Sequence, residues 1–138
     1  MKIFPAIDIK DKKCVRLVKG NFDNKTEYEM SPVEQARKYK DSGFKNLHII
    51  DLDGALTGET VNLEIIEDIV KKFDINIEVG GGVRNFDSIQ KYTDAGVEKV
   101  ILGSAAINDK EFLENACKKF PNKIALGLDA KDGYLAVS

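Results

Sequence analysis

Ile7-Asp8-Ile9-Lys10-Asp11 near one end of the chain and Leu128-Asp129-Ala130-Lys131-Asp132 near the other share a pattern of apolar residue, aspartate, apolar residue, lysine and aspartate, at an offset of 121 residues. Between them, apolar runs alternate with helical patterns. Ile3 to Ile9 reads as a strand, with a short extension over Cys14 to Val18. Pro5 lies inside that first strand, where a central strand should not tolerate it, and is expected at a local bulge. A polar loop over residues 19–30 leads to Ser31-Pro32-Val33-Glu34, with Ser at the N-cap, Pro at the first helical position and Glu three residues after the cap. That helix should end near Gly43.

The alternation then continues. Leu47 to Leu52 is the second strand, and Asn62 opens a helix with Ile65, Ile66, Ile69 and Val70 on one face. Ile75 to Val79 is the third strand, and Phe86 to Ala95 a helix that Gly96 ends. Val100 to Leu102 is the fourth, Asn108 or Asp109 caps the next helix, and Ile124 to Leu128 is the fifth. Near-continuous apolar strands alternating with helices mean an α/β fold with a parallel sheet, either doubly wound or a barrel. The repeat favours the barrel. If the fifth strand restarts what the first began, four βα units make one half of an eightfold whole, and doubling 121 gives roughly the 250 residues usual for a (β/α)₈ TIM barrel. Residues 1–138 are then a single domain, the N-terminal half-barrel plus the start of the second half, with the remainder of the barrel absent from the sequence.

Composition narrows the function classes. Apolar residues make up 43% and charged residues 32%, which excludes a disordered chain. Twenty-one basic residues against twenty-three acidic ones, with no basic cluster, argue against a nucleic-acid partner. Cys14 and Cys117 are far apart and lack metal-ligand or redox spacing, so reduced thiols are expected. Neither a signal peptide nor a membrane span is evident, so the expected location is the cytoplasm.

In a barrel the working residues sit at the C-terminal strand ends and in the loops that follow. Asp8 and Asp129 end apolar strands there, on the first and fifth of eight, diametrically opposite. Two carboxylates facing each other across the mouth suit a general base and a general acid on two sides of one sugar. Val79-Gly80-Gly81-Gly82-Val83-Arg84 and Leu102-Gly103-Ser104-Ala105-Ala106 follow adjacent strands. Glycines at strand-to-helix turns let backbone N–H groups approach an anion, so Gly81, Gly82, Gly103 and Ser104 are candidates for binding phosphate. Arg16, His48 and Arg84 are secondary candidates. His48 and Asp51 have opposite parity, so only one of them faces the barrel interior. Neither a metal site nor a nucleophilic triad has the required spacing.

Taken in order, P-A-I-D-I (5–9), C-V-R-L-V-K-G (14–20), L-H-I-I-D-L-D-G-A (47–55), V-G-G-G-V-R (79–84), V-I-L-G-S-A-A (100–106) and G-L-D-A (127–130) resemble the phosphoribosylformimino-5-aminoimidazole carboxamide ribotide isomerases of histidine biosynthesis. The resemblance implies an Amadori rearrangement of an N-linked aminoaldose to an aminoketose, on a phosphorylated ribosyl substrate and without a cofactor. It implies that Asp8 is the general base at C2 and Asp129 the general acid that helps open the ribose ring. It also puts Gly81, Gly82, Gly103 and Ser104 at the first phosphate site, and Arg16, Gly20, His48 and Arg84 near the substrate. The imidazole glycerol phosphate synthase cyclase is similar, but resembles D-I-T-A-S after its second strand where this chain has Asp51-Leu52-Asp53-Gly54-Ala55. A bifunctional isomerase serving the histidine and tryptophan pathways usually has Ser at the position of Gly80, so Gly80 favours the single-substrate enzyme. A non-catalytic, self-associating half-barrel is a different class of answer, and solution mass separates it from the enzyme.

Overall fold

A computed structural model of the chain describes residues 1–18 and 21–136. The first strand, β1 (Ala6–Lys10), turns into an antiparallel ribbon of β2 (Lys13–Val18) and β3 (Asn21–Glu27) before helix α1 (Pro32–Asp41). Strand β4 (Asn46–Asp51) runs directly into a short helix, α2 (Leu52–Thr57), ahead of α3 (Leu63–Lys72). Then come β5 (Asn76–Gly80), α4 (Phe86–Ala95), β6 (Lys99–Leu102), a second short helix α5 (Ser104–Asn108), and α6 (Lys110–Lys119). The chain ends through β7 (Ile124–Leu126) and a small separate hairpin, β8 (Ala130–Lys131) and β9 (Tyr134–Leu135).

The sequence explains most boundaries. At α1 the Ser31 hydroxyl accepts the Glu34 N–H (3.2 Å) while the Glu34 carboxylate accepts the Ser31 N–H (2.8 Å), which is the expected reciprocal cap. Asn85 and Asp109 cap α4 and α6 from one side only, each side chain accepting a backbone N–H, and Gly96 closes α4 in the left-handed region at φ +95°. Three expectations need correction. Pro5 lies just before β1 rather than within it, and its carbonyl accepts the His48 N–H, so no bulge is needed. Residues 19–30 are not simply a loop, because β3 lies among them and pairs with β2. The fifth parallel strand stops at Leu126 instead of Leu128.

The main sheet has the order β3-β2-β1-β4-β5-β6-β7, in which β1, β4, β5, β6 and β7 are successive parallel neighbours. Alternate residues of these strands (Ile7, Ile9, Leu47, Ile49, Ile77, Val79, Val100 and Leu102) are buried in one core with Ala36 of α1, Ile66 and Ile69 of α3, Ile89 and Tyr92 of α4, and Ala116 of α6. All four long helices therefore cover the same face of the sheet. A doubly wound sheet places helices on both faces, whereas a barrel wall places them outside only. The opposite face carries Asp8, Lys10, His48, Ile50, Glu78, Lys99 and Ile101, all half-buried. The described residues thus form four βα units and the fifth strand of a (β/α)₈ barrel, with that polar face turned inward. Among them, no helix is long and apolar enough to cross a membrane.

Candidate active site

Asp8 stands on β1 between Ile7 and Ile9, whose burial against the helices turns the aspartate to the inner face. Its carboxyl is half-buried. Burial raises its pKa above the usual carboxylate value, and His48, when protonated, and Arg16 work in the opposite direction. Asp8 and Arg16 line a cleft of about 870 Å³ between β1, β2 and α1, together with Cys14, Tyr28, Gln35 and Tyr39. Burial, with Asp8 and Glu34 nearby, pushes the Cys14 thiol up to about 11, so it is protonated at neutral pH. A carboxylate in this setting is suited to take a proton from a bound molecule.

His48 also faces inward, one strand over. Its Nδ1 lies 2.6 Å from the Glu78 Oε1 on β5, directly opposite in the strand register. Asp51, of opposite parity, points among the helices and is 0% exposed. There it accepts hydrogen bonds from the N–H of Gly54 (2.8 Å), the N–H of Asn62 (2.9 Å), the Asn62 side-chain amide (2.7 Å) and the Tyr92 hydroxyl (3.4 Å). The same Asn62 amide reaches Asp53 (2.8 Å), and Asp53 accepts from the Asp11 N–H and pairs with Lys10. One polar network therefore ties together the loops that follow β1 and β4.

The loop after β5 is locked to these by contact between backbones. Gly81 (φ +112°) and Gly82 (φ +71°) lie so close to the chain at Asp51 and Gly54 that a Cβ would stand 2.2 Å from the Asp51 carbonyl oxygen or 1.8 Å from that of Gly54. Arg84 follows this turn, and its guanidinium donates to the Ala55 carbonyl (3.1 Å) and lies against Gly58. Arg84 is thus engaged in holding α2. After β6, Gly103 begins α5 with no side-chain cap, and a Cβ there would meet nothing within 4 Å.

Asp8, expected at a strand end, lies at the middle of β1 within electrostatic reach of His48 and Arg16, and Gly81, Gly82 and Arg84 are gathered on the neighbouring rim. Asp129 is placed differently from expectation: it is exposed, three residues beyond β7, and its carbonyl accepts the Ala136 N–H at the base of the β8–β9 hairpin. Gly20 lies outside the described residues. Sequence reasoning overlooked the network of Asp51, Asp53, Asn62 and Tyr92, and overlooked Glu78. The available signal for Glu78 was a carboxylate between apolar Ile77 and Val79, at a position whose parity matches that of the single histidine one strand earlier. Among the described residues, His, Cys, Asp and Glu form no group of three or more that could hold a metal ion.

Comparison with known proteins bears on this arrangement. A family model described as histidine biosynthesis protein matches residues 2–138. Over all 138 residues the chain is 81% identical to a protein of Pelagibacter ubique named 1-(5-phosphoribosyl)-5-((5-phosphoribosylamino)methylideneamino) imidazole-4-carboxamide isomerase. Proteins of the same name from Oceanobacillus iheyensis and Listeria innocua are each 49% identical, over 99% and 100% of this chain. The chain spans 58%, 57% and 58% of the lengths of these three relatives. With the family model matched from its second residue to its last, the chain belongs to the histidine biosynthesis protein family.

Proposed function

We propose that this chain is the N-terminal part of an isomerase that converts a phosphoribosyl aminoaldose into the aminoketose. Residues 1–138 then form one domain, a half-barrel with the first strand of the second half. The observation that carries the reading is Asp8: a half-buried carboxylate of raised pKa on the inner face of β1, inside a chain 81% identical to a protein named as such an isomerase. A raised pKa brings a carboxyl nearer the operating pH, where general-base catalysis is most effective.

The reaction needs two proton movements on opposite sides of the sugar. Asp129 donates a proton to the ring oxygen as the C1–O bond breaks, and the nitrogen lone pair forms a C1=N⁺ bond. Asp8 then removes the C2 proton, whose electron pair forms the C1=C2 bond and neutralises the nitrogen. Loss of the 2-hydroxyl proton with reprotonation at C1 delivers the ketone. Gly81, Gly82, Gly103 and Ser104 hold one phosphate through backbone N–H groups, and Arg16, Gly20 and His48 contact the remainder of the substrate. The five-residue length of α5 means that local N–H groups rather than a long helix dipole attract the anion. Support for an Asp129 role lies in the repeat with Asp8, and closing the barrel is what must bring its loop inward. The substrate is a small phosphorylated molecule, and the protein works in the cytoplasm.

Steady-state kinetics tests the reading. In the whole enzyme, Asp8→Asn and Asp129→Asn should each lower turnover by about 10²–10⁴-fold with little change in substrate binding. Near-normal turnover in either variant removes that residue from the mechanism. The 138-residue chain by itself should not isomerise the substrate, because the barrel wall facing Asp8 is missing.

A further inference from the structure

Glu78 is a carboxylate in the middle of a strand, flanked by the fully buried Ile77 and Val79, and it serves no packing purpose there. Its oxygen lies 2.6 Å from the His48 Nδ1, a short hydrogen bond between directly registered residues of adjacent parallel strands. Both side chains are largely enclosed, at 30% and 24% exposure. β4 lies between β1 and β5 in the sheet. Asp8 stands on β1 on the same inner face, diagonally from His48 in the β1–β4 register.

We propose that Glu78 is a positioning residue: it accepts the Nδ1–H of His48, fixes the imidazole in one tautomer and orientation, and so presents Nε2 toward the substrate. A histidine's working nitrogen is decided by the bond its other nitrogen makes. Without Glu78 the ring can rotate and adopt the Nε2–H tautomer that an unconstrained histidine side chain favours. When the ring is protonated, its charge is also the first of the two that oppose the burial penalty on the Asp8 carboxyl. The proposal rests on the isomerase reading for its catalytic meaning, but the hydrogen bond and tautomer do not.

The ring can be observed without substrate. In ¹⁵N-labelled whole protein, above the pH at which imidazole is charged, long-range proton–nitrogen correlation should show the His48 Nδ1 as the protonated nitrogen; a His48→Asn variant assigns the signals. In Glu78→Leu, which keeps side-chain bulk, His48 should revert to the Nε2–H form, and kcat should fall about 10–100-fold with KM nearly unchanged. An Nε2–H tautomer in the unaltered protein overturns the proposal without any Glu78 variant. An unchanged tautomer in Glu78→Leu overturns it as well, as does an unchanged kcat in a variant whose tautomer has switched. Absence of isomerase activity in the unaltered protein would instead count against the function, because the tautomer result stands without turnover.

Discussion

After β5 the chain passes through Gly80, Gly81 and Gly82; after β6 it passes through Gly103 into Ser104. In the first turn Gly81 and Gly82 have φ of +112° and +71°, and their faces press on the backbone of residues 51 and 54. In the second, nothing stands within 4 Å of where a Cβ would be. Both turns satisfy the same sequence pattern for anion binding. The first needs its glycines for the fold itself, to let three loops meet at one rim. Only at the second is the Cβ position of the glycine clear of the other described residues, so that a ligand can approach that face of the backbone.

Substitutions separate the two. Gly82→Ala should have the largest effect, about 3–5 kcal/mol of lost stability by urea unfolding, because it combines a left-handed backbone with a clash against a carbonyl that cannot move aside. A loss below about 1 kcal/mol would break the distinction. Asp51→Ala should follow at about 3 kcal/mol, since it strands buried donors of Gly54, Asn62 and Tyr92. Its loss should also loosen Gly81, which a hydrogen-exchange measurement across residues 80–84 can detect. Gly103→Ala, whose Cβ meets no neighbour, should cost less stability than Gly82→Ala, yet weaken inorganic phosphate binding several-fold by calorimetry. Equal phosphate affinity before and after that change would remove Gly103 from the site.

A gentler version of the same contrast holds for the two repeat-related aspartates, one enclosed and one open. Burial raises the Asp8 pKa above its ordinary 3.8, so the folded chain holds that proton more tightly than the unfolded one. The favourable contribution is present in full below the ordinary value and disappears as pH rises through the raised one. Asp8→Asn should therefore match the unaltered protein in acid and melt at a higher temperature near neutral pH. Asp129→Asn, at an exposed position, should leave stability within about 0.5 kcal/mol at both. Identical melting of Asp8→Asn and the unaltered protein across that range would show that Asp8 carries no burial penalty.

Local signals carried much of this outcome. The capping box at Ser31 and Glu34, the bounds of α4 and the positions of the five parallel strands were legible because caps, glycines and apolar periodicity act over a few residues. The strand identity of residues 21–27 was not, since N-F-D-N-K-T-E has no apolar alternation and pairs only because β2 is already beside it. The short helices α2 and α5 were also hidden, being too brief to show a period.

What the sequence determined by itself was the α/β alternation, the repeat that relates Asp8 to Asp129, and the membership of His48 and Asp51 in opposite faces of one strand. These depend on chain-local geometry, on side-chain parity and on turn chemistry. Only the tertiary structure decided which face each strand gives to the helices, and hence that Asp8, His48 and Glu78 share the inner wall while Asp51 is buried outside it. Only it separated the glycines that pack from the glycine that opens, because both turns read alike until another segment of backbone is brought to within contact distance of one of them.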